Sequence, residues 1–347
     1  MKYLVTILEE TKEEQLKEIE RMGMEIEYKS ILLPLLVVDK GDIIKLNQLN
    51  FVKKIEPNYT GYLAGVDSVT ITPPLNFNLI KPFFNYSDVK VAIIDSGIDE
   101  DKIFNIENKM DFTNTTVNAV KHGTKVANIV NQIVPKVSLL SAKVTNQVKV
   151  DTDNVIKALE WAYINGAKIV NLSIGVIVTN LQGKIVRCKG ECAICKLVEA
   201  LNNVGVLVVT AAGNDGPKSG TINCPGNSAY SIAVGFINYN KHLDDISSRG
   251  REGQNKPDLV TSGYIYVKQG KNKDLEQGSS FAAPIVTGIA AGIYYKYSNI
   301  NTLKNFIISC TEKLGYSYNE EGNGMLNLEK MKEVFSFEEA ISNSGQK

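Results

Sequence analysis

Two patterns of apolar and polar positions divide the chain near residue 64. Before it, four short strand patterns and two helical patterns follow one another in the order β-α-β-β-α-β. The strand patterns are "YLVTIL", "EIEYKS", "LLPLLVVD" and "VKKIEP", and the helical patterns are "KEEQLKEIERMG" and "DIIKLNQL". This order predicts a small α+β domain at residues 1–64. The Pro- and Asn-bearing stretch from 65 to about 88 predicts a surface connector.

After residue 88, apolar runs such as "VKVAIID", "VSLLSAKV" and "VLVVTAAGN" alternate with helical patterns such as "HGTKVANIVNQIV" and "TDNVIKALEWAYING". Unbroken runs of Val, Ile and Leu are typical of strands that are buried on both faces of a parallel sheet. Residues 65–347 are therefore predicted to form an α/β domain, a parallel sheet flanked by helices. In such domains the functional site lies at the carboxyl ends of the strands.

Composition and charge exclude several classes of protein. The 347 residues are 44% hydrophobic and 22% charged, as in ordinary globular proteins. Lys plus Arg and Asp plus Glu number 38 each, without a long block of like charge, so neither a nucleic-acid nor a membrane partner is expected. The N-terminus turns acidic early and lacks a small-residue cleavage site, which predicts no secretory signal. We expect a cytoplasmic location, with export by another route left open.

Chemistry-bearing side chains stand where the apolar runs stop. Asp95 ends "VAIID", His122 opens "HGTKVANIV", and Ser280 lies at the start of the small-residue run "GSSFAAPIVTGIAAG". A carboxylate, an imidazole and a hydroxyl are the groups that make a serine nucleophilic. Asn214, at the end of "VVTAAGN", adds an amide donor for a developing oxyanion.

The run that contains Ser280 predicts a helix whose N-terminus supplies free N–H groups beside the hydroxyl. Pro284 is expected in the first turn of this helix, where no donor is needed. Gly288 and Gly292, with Ala290 and Ala291 between them, are expected to let the helix press against the neighbouring sheet.

Four blocks, in this order, resemble the signatures of subtilisin-like serine proteases. They are "DSG" at 95–97, "HGT" at 122–124, "AAGN" at 211–214 and "GSSFAAP" at 278–284. The resemblance covers about residues 88–330. Each block alone is more often a turn or a helix cap, but four in the family's order favour the functional interpretation strongly.

The resemblance implies a serine endopeptidase that acts on peptide or protein substrates through an acyl-enzyme. Ser280 would be the nucleophile, His122 the base and then the acid, Asp95 its orienting group, and Asn214 the oxyanion donor. Substrate would lie against the two segments made of Ser173, Ile174 and Gly175, and of Ala212 and Gly213. No cofactor and no catalytic metal are implied, and structural calcium, common in the family, is left open.

The first 64 residues are similar to the family's ferredoxin-like inhibitory prodomain. This likeness implies that the prodomain is an intramolecular partner of the peptidase and that the enzyme cuts its own chain between Tyr62 and Val66. The most favoured cut follows Ala64 and leaves Gly65 as the new N-terminus. The alternative is a permanent regulatory domain on an uncut linker.

Other functions are weighed against the protease. A catalytically silent subtilase-fold protein could serve as a binding or regulatory protein, although the complete triad favours an enzyme. An esterase would need a G-x-S-x-G elbow, which Ser280 lacks. His122 is followed by Lys125 and Asn128, where the family often has His and Gly, and this departure concerns packing or substrate-side contacts rather than chemistry.

The segment after Gly175 (residues 176–195, the insert) is longer than the family's usual link and is expected beside the substrate cleft. A hairpin turn is expected near Gln182 and Gly183. The insert and the "NCPGNS" block hold four cysteines, Cys188, Cys192, Cys195 and Cys224. Free thiols are favoured for them, disulfides come second and a zinc site third, whereas Cys310 is expected to be a core residue.

Overall fold

A computed structural model of the protein describes residues 2–58, 60–62, 69–72, 75–84, 89–99, 104–113, 121–145, 149–176, 186, 188–269 and 272–344. Ala64, Gly65, Gln182 and Gly183 lie outside the described residues. The predicted cut, the domain boundary at 64 and the hairpin turn therefore stay predictions.

Residues 2–57 (the N-terminal unit) form an antiparallel sheet covered by helices. The elements are β1 (Lys2–Ile7), α1 (Glu13–Arg21), β2 (Glu25–Lys29), β3 (Leu35–Asp39), α2 (Ile43–Leu46) and β4 (Val52–Pro57). The strand order is β2-β3-β1-β4. Leu16 and Ile19 are three residues apart on one face of α1, and they pack against Val5 and Val38 in one buried cluster. The element order is the one expected from the sequence.

The other described residues build the larger part of the molecule. Its strands are β5 (Thr60–Tyr62), β6 (Val69–Thr72), β7 (Lys90–Asp95), β8 (Asn105–Asp111), β9 (Ser138–Lys143), β10 (Lys149–Asp151), β11 (Ile169–Leu172), β12 (Gly175–Val176), β13 (Leu207–Ala211), β14 (Ile232–Ile237), β15 (Leu259–Ser262), β16 (Tyr264–Gln269), β17 (Asn272–Gln277), β18 (Thr311–Glu312) and β19 (Met325–Leu326). Its helices are α3 (His122–Ile133), α4 (Thr152–Ile164), α5 (Ala193–Asn203), α6 (Ser279–Ile293), α7 (Ile300–Ser309), α8 (Tyr318–Glu321) and α9 (Leu328–Ser344). None of the helices in the described part of the chain combines the length and apolar character needed to cross a bilayer.

A nine-stranded sheet forms the centre, in the order β18-β19-β15-β14-β13-β11-β7-β9-β8. Every neighbouring pair is parallel except β18 with β19. Successive side chains of a strand point to opposite faces, so Val91 and Ile93 join the cluster with α3 and α6, whereas Ala92 and Ile94 join the cluster with α4 and α5. The α/β prediction is confirmed, with the unbroken apolar runs explained by burial on both faces.

Two small sheets lie beside the large one. In the first, β5 is the middle strand and pairs antiparallel with β10 and with β12. In the second, β6 pairs with β16, which in turn pairs with β17. The expectation of a plain connector after residue 64 is therefore wrong for Val69–Thr72, which form a strand.

Helix α6 differs from the sequence prediction in two details. Pro284 is the sixth helical residue and lies in the second turn, not the first. A Cβ on Gly288 would lie 2.9 Å from Ile133 of α3, and one on Gly292 would lie 2.6 Å from the ring of Phe84. Both glycines thus permit close packing against a helix and an aromatic ring, while α6 itself packs on β11, β13 and β14 of the sheet, as expected.

Candidate active site

Asp95 and His122 are brought together where β7 ends and α3 begins. The imidazole Nδ1 lies 2.9 Å from each carboxylate oxygen of Asp95, and both side chains are buried. The backbone N–H of Ser96 donates to Asp95 Oδ1 (2.7 Å), and the N–H of Gly123 donates to Ser96 Oγ (3.0 Å). Because an ionised carboxylate only accepts, Nδ1 carries the proton and Nε2 is the basic nitrogen.

Position 123 must be glycine for this contact. A Cβ there would lie 2.3 Å from the carbonyl oxygen of Gly97 and 3.1 Å from Cβ of Asp95. The "HG" pair therefore lets α3 begin directly against the turn that follows β7, which holds the imidazole on the carboxylate.

Ser280, the second residue of α6, is held by reciprocal hydrogen bonds with Ser173. Ser280 Oγ donates to the carbonyl of Ser173 (3.1 Å), and Ser173 Oγ donates to the carbonyl of Ser280 (2.8 Å). In an ordinary helix that second carbonyl would accept from residue 284, but Pro284 has no N–H. The hydroxyl of Ser173 thus satisfies the acceptor that the proline leaves unpaired.

A buried polar chain fixes Ser173 in turn. Its Oγ accepts from Asn171 Nδ2 (2.9 Å), and Asn171 Oδ1 accepts from Thr287 Oγ1 (2.9 Å) one helical turn beyond Pro284. All three side chains are buried. Neither Asn171 nor Thr287 was predicted from the sequence, where each is a polar residue within an apolar run, "IVNLS" and "PIVTGIA".

The Ser280 hydroxyl points to the Ser173 carbonyl rather than to His122. The imidazole packs against Phe281, the next residue of α6, with 5.6 Å between the ring centroids. Catalytic hydrogen bonds are often long in unliganded enzymes and tighten when substrate binds. The structure therefore joins Asp95 to His122 and sets the imidazole against the residue that follows Ser280.

Asn214 is anchored so that only its amide nitrogen is free to point outward. Its Oδ1 accepts from the N–H and from the Oγ of Ser279, both at 2.9 Å, and Ser279 Oγ also accepts from the N–H of Gly213 (3.0 Å). Gly278 has φ +150°, and a Cβ there would lie 2.9 Å from Asn214 Nδ2. The donor end of the amide thus lies at the N-terminus of α6, and Ser279 is a positioning residue that the sequence analysis did not assign.

A cleft opens beside these groups. It is lined by Gly175, Ala211, Gly213, Asn214, Asp215, Asn223, Ser279 and Ser280. Gly175 and Gly213, both predicted to contact substrate, line it, whereas Ser173, Ile174 and Ala212 are buried behind its surface.

Asn223 and Asp215 add a polar wall that the sequence analysis did not single out. Asn223 Nδ2 donates to Asp215 Oδ2 (2.7 Å). A Cβ on Gly175 or Gly213 would lie within 2.9 Å of Asn223 Nδ2. The two glycines therefore leave the room that the Asn223 amide occupies at the cleft.

The departure at Lys125 affects packing. Its side chain is fully buried and forms an ion pair with Glu276 of β17. Its Nζ lies 5.7 Å from the centre of the Phe281 ring. Asn128 accepts a hydrogen bond from Gln132 at the surface of α3 (2.6 Å). Neither contact involves the Asp95–His122 pair.

Comparison with known proteins decides the family. The model of the subtilase family matches residues 86–325, more than half of the chain. The chain belongs to the subtilase family. It is 30% identical to subtilisin DY of Bacillus licheniformis over 262 residues, which are 70% of this chain and 90% of that protein. It is also 28% identical to subtilisin E of Bacillus subtilis (strain 168), over 70% of this chain and 65% of that protein.

Two further likenesses extend the comparison. The mouse membrane-bound transcription factor site-1 protease is 28% identical over 277 residues, which are 72% of this chain and 25% of that protein. The crystal structure of a mutant of the epidermin leader peptide processing serine protease EpiP from Staphylococcus aureus superposes with a TM-score of 0.71 at 17% identity, over 96% of this chain and 99% of that one. This subtilase is thus a subtilisin-like serine endopeptidase, and EpiP shares its fold.

In this subtilase the N-terminal unit lies on helices α4 and α5. Leu4, Leu35 and Val37 of its sheet belong to the same buried cluster as Val155 of α4 and Leu197 of α5. One face of the sheet in the N-terminal unit is therefore covered by α4 and α5, which belong to the larger part of the molecule (the peptidase part).

Glu160 of α4 is fully buried under the loop that follows β2. Its carboxylate accepts hydrogen bonds from Tyr28 Oη, from Ser30 Oγ, and from the N–H groups of Ile31 (3.1 Å) and Leu32 (3.2 Å). Burial and the contact with Glu160 raise the pKa of Tyr28. A buried carboxylate that accepts four hydrogen bonds is satisfied without a cation of its own.

Asp153, at the start of α4, holds the other end of the N-terminal unit. Its Oδ1 accepts from Asn58 Nδ2 and its N–H donates to Asn58 Oδ1, both at 2.9 Å, while Lys2 (3.3 Å) and Lys157 (3.1 Å) form ion pairs with Oδ2. Burial opposes the charge, but Lys157, Asn58 and Lys2 together hold the pKa of Asp153 below its ordinary value. Asp153 and Glu160 (the α4 carboxylates) were not predicted from the sequence.

Proposed function

We propose that this subtilase hydrolyses peptide bonds with Ser280 as nucleophile and cleaves its own chain after Ala64. His122 Nε2 takes the Ser280 proton and later gives it to the leaving amine, while Asp95 holds the imidazole in the required tautomer. Asn214 Nδ2 and the N–H of Ser280 donate to the oxyanion. Water then releases the acyl-enzyme.

The position of β5 is the observation that carries self-processing. Residues 60–62 of this chain lie as the middle strand between β10 and β12, in a register that pairs Tyr62 with Lys149 and with Gly175. In an antiparallel strand with this register, the residue two positions after the partner of Gly175 lies opposite Ser173. Ala64 is two residues beyond Tyr62 in the sequence, which supports a cut at this bond.

The same arrangement supports inhibition by the N-terminal unit. The strand between β10 and β12 occupies the place where an antiparallel substrate strand would pair with Gly175, and the α4 carboxylates hold the unit from which that strand extends. A substrate peptide must displace it. The N-terminal unit is therefore proposed to act as an intramolecular inhibitor, in addition to being the first substrate.

The first prediction tests the nucleophile with Ser280→Ala. Because the triad acts as a unit, we expect peptidase activity to fall by at least ~10⁴-fold, with the fold retained. Mass spectrometry of the purified wild type should show a fragment that starts at Gly65, whereas the variant should stay whole.

Ser309→Ala is the matched control, since Ser309 lies at the end of α7, where its hydroxyl contacts the carbonyl of Phe306 and the Sγ of Cys310. It should process itself like the wild type. An identical cut in the Ser280→Ala chain would mean that another protease makes it. An uncut wild type that cleaves peptides would overturn self-processing alone. Labelling by a serine-directed fluorophosphonate separates the enzyme from a silent binding protein, which would stay unlabelled.

A further inference from the structure

Four cysteine sulfurs gather in one place behind the cleft. The Sγ atoms of Cys188, Cys192, Cys195 and Cys224 all lie within 4.8 Å of one another. The distances are 3.4 Å for Cys192 to Cys224, 3.8 Å for Cys195 to Cys224 and 3.9 Å for Cys188 to Cys195. Four thiolates around one zinc ion, each about 2.3 Å from the metal, form a tetrahedron with edges of about 3.8 Å. These three separations lie close to that edge, and the remaining ones are at most 4.8 Å.

The same distances argue against the other chemistries of a cysteine cluster. A disulfide needs two sulfurs about 2 Å apart, whereas the shortest of these distances is 3.4 Å, between Cys192 and Cys224. An iron–sulfur cluster binds its thiolates to different iron atoms, so its ligands lie farther apart than ligands of a single ion.

The backbone around the sulfurs is shaped as a ligand loop. Cys192 is the N-cap of α5 and Cys195 lies in its first turn, which gives the two-residue ligand spacing common in zinc sites. Gly190 has φ +87°, its N–H donates to Cys188 Sγ (3.3 Å), and a Cβ there would lie 2.8 Å from the carbonyl of Asn227. Such N–H donors to thiolates orient metal ligands and reduce their charge.

Burial and charge favour a cation at this place. Cys192, Cys195 and Cys224 are at most 4% exposed, whereas Cys188 is half-buried and leaves a path for an ion. Four thiolates buried this close together are stable only when a cation compensates their charge. Arg251 donates to the carbonyl of Cys188, and its positive charge would offset part of the net negative charge that zinc with four thiolates retains.

We propose that Cys188, Cys192, Cys195 and Cys224 bind one zinc ion as a closed, structural site that fixes Cys188 and the N-terminus of α5 to the wall of the substrate cleft. All four positions of the tetrahedron are taken by protein, so the ion has no open site for a reacting water. Cys224 exchanges backbone hydrogen bonds with Val176 (2.9 and 3.1 Å). Its chain neighbour Asn223 and the neighbour of Val176, Gly175, both line the cleft.

Metal analysis of the full-length Ser280→Ala chain tests this second prediction without interference from self-cleavage. We expect about one zinc per chain, retained after dialysis against metal-free buffer and lost in Cys192→Ser and in Cys224→Ser. Cys310→Ser is the matched control, because Cys310 is equally buried but lies at the end of α7, and it should keep the zinc.

Cobalt(II) keeps the test valid should a cysteine variant fail to fold. The unmutated chain, loaded with cobalt after removal of zinc, should show the intense thiolate charge-transfer and visible bands of a tetrahedral tetrathiolate site. Absence of zinc after purification and after incubation with added zinc would overturn the proposal. A mass lower by about 2 or 4 Da in a metal-free chain would assign disulfides instead, and iron with acid-labile sulfide would assign a cluster.

Discussion

The N-terminal unit and strand β5, which follows it in the chain, contact the rest of the molecule in two places that use different chemistry. On α4, two buried carboxylates accept hydrogen bonds and ion pairs from specific side chains and loop N–H groups. In the cleft, β5 is held by backbone pairing with β10 and β12. Backbone pairing accepts many sequences, whereas buried carboxylates require matched partners.

This difference separates the proposed inhibitor from an ordinary substrate. A peptide substrate binds only in the cleft, where its main chain can pair with the edges of β10 and β12. The N-terminal unit adds the α4 carboxylates and the apolar contact of its sheet with α4 and α5. We infer that α4 determines how tightly the unit binds, and that the cleft determines where the chain is cut.

The third prediction concerns Glu160→Ala and has the largest expected effect of those that test this difference. The substitution leaves two hydroxyls and two loop N–H groups without their acceptor, which should weaken docking by about 3 kcal/mol, or ~100-fold. The backbone N–H of Asp153 reports docking from a distance, because its partner is Asn58. Its hydrogen exchange, measured in the full Ser280→Ala chain, should accelerate by that factor.

Two controls make this measurement specific. Glu160→Gln keeps an acceptor oxygen and should lose less protection. Glu199→Gln removes a partly exposed glutamate of α5 that pairs only with surface groups, and it should change exchange at Asp153 by less than about twofold. Unchanged exchange at Asp153 in Glu160→Ala would show that the apolar contact alone holds the unit.

The fourth prediction addresses the cleft. Gly61 pairs with Val150 on one side and with Val176 on the other, so its N–H faces one of these strands. Gly61→Pro removes that donor and should slow self-cleavage by roughly 10- to 100-fold, while exchange at Asp153 stays protected. Gly61→Ala keeps the donor and serves as the control. Equal cleavage rates in the two variants would mean that β5 pairing does not guide the cut.

Much of the fold could be read from the sequence because it depends on local periodicity. The unbroken apolar runs predicted the buried parallel sheet, and the ends of these runs predicted Asp95 and Asn214 at its edge. Strand β6 was missed because four residues carry little pattern, and its partner β16 lies about 190 residues away, at the pair of Thr72 with Tyr264. Its pairing depends on tertiary context.

The site was predictable in its residue types but not in its supporting contacts. The carboxylate, imidazole and hydroxyl could be named from the sequence, whereas the reciprocal bonds of Ser173 and Ser280 depend on which hydroxyl faces which carbonyl. The same holds for the anchoring of Asn214 by Ser279. For the cysteines, spacing left three states open, and the proximity of the four sulfurs could not be predicted from it.

The fifth prediction is the smallest and concerns the pH dependence of docking at Asp153. The pKa of this carboxyl is lowered in the folded chain from its ordinary 3.8. The stabilisation it provides is therefore fully present above 3.8 and is lost as the pH falls through the lower folded value. Near neutral pH, we expect the thermal midpoint of the Ser280→Ala chain to exceed that of the double variant that also carries Asp153→Asn. This gap in thermal midpoint should close as the pH falls below the ordinary pKa. A gap that persists in strong acid would mean that the hydrogen bonds with Asn58, rather than the charge that Lys2 and Lys157 stabilise, carry the contribution of this carboxylate.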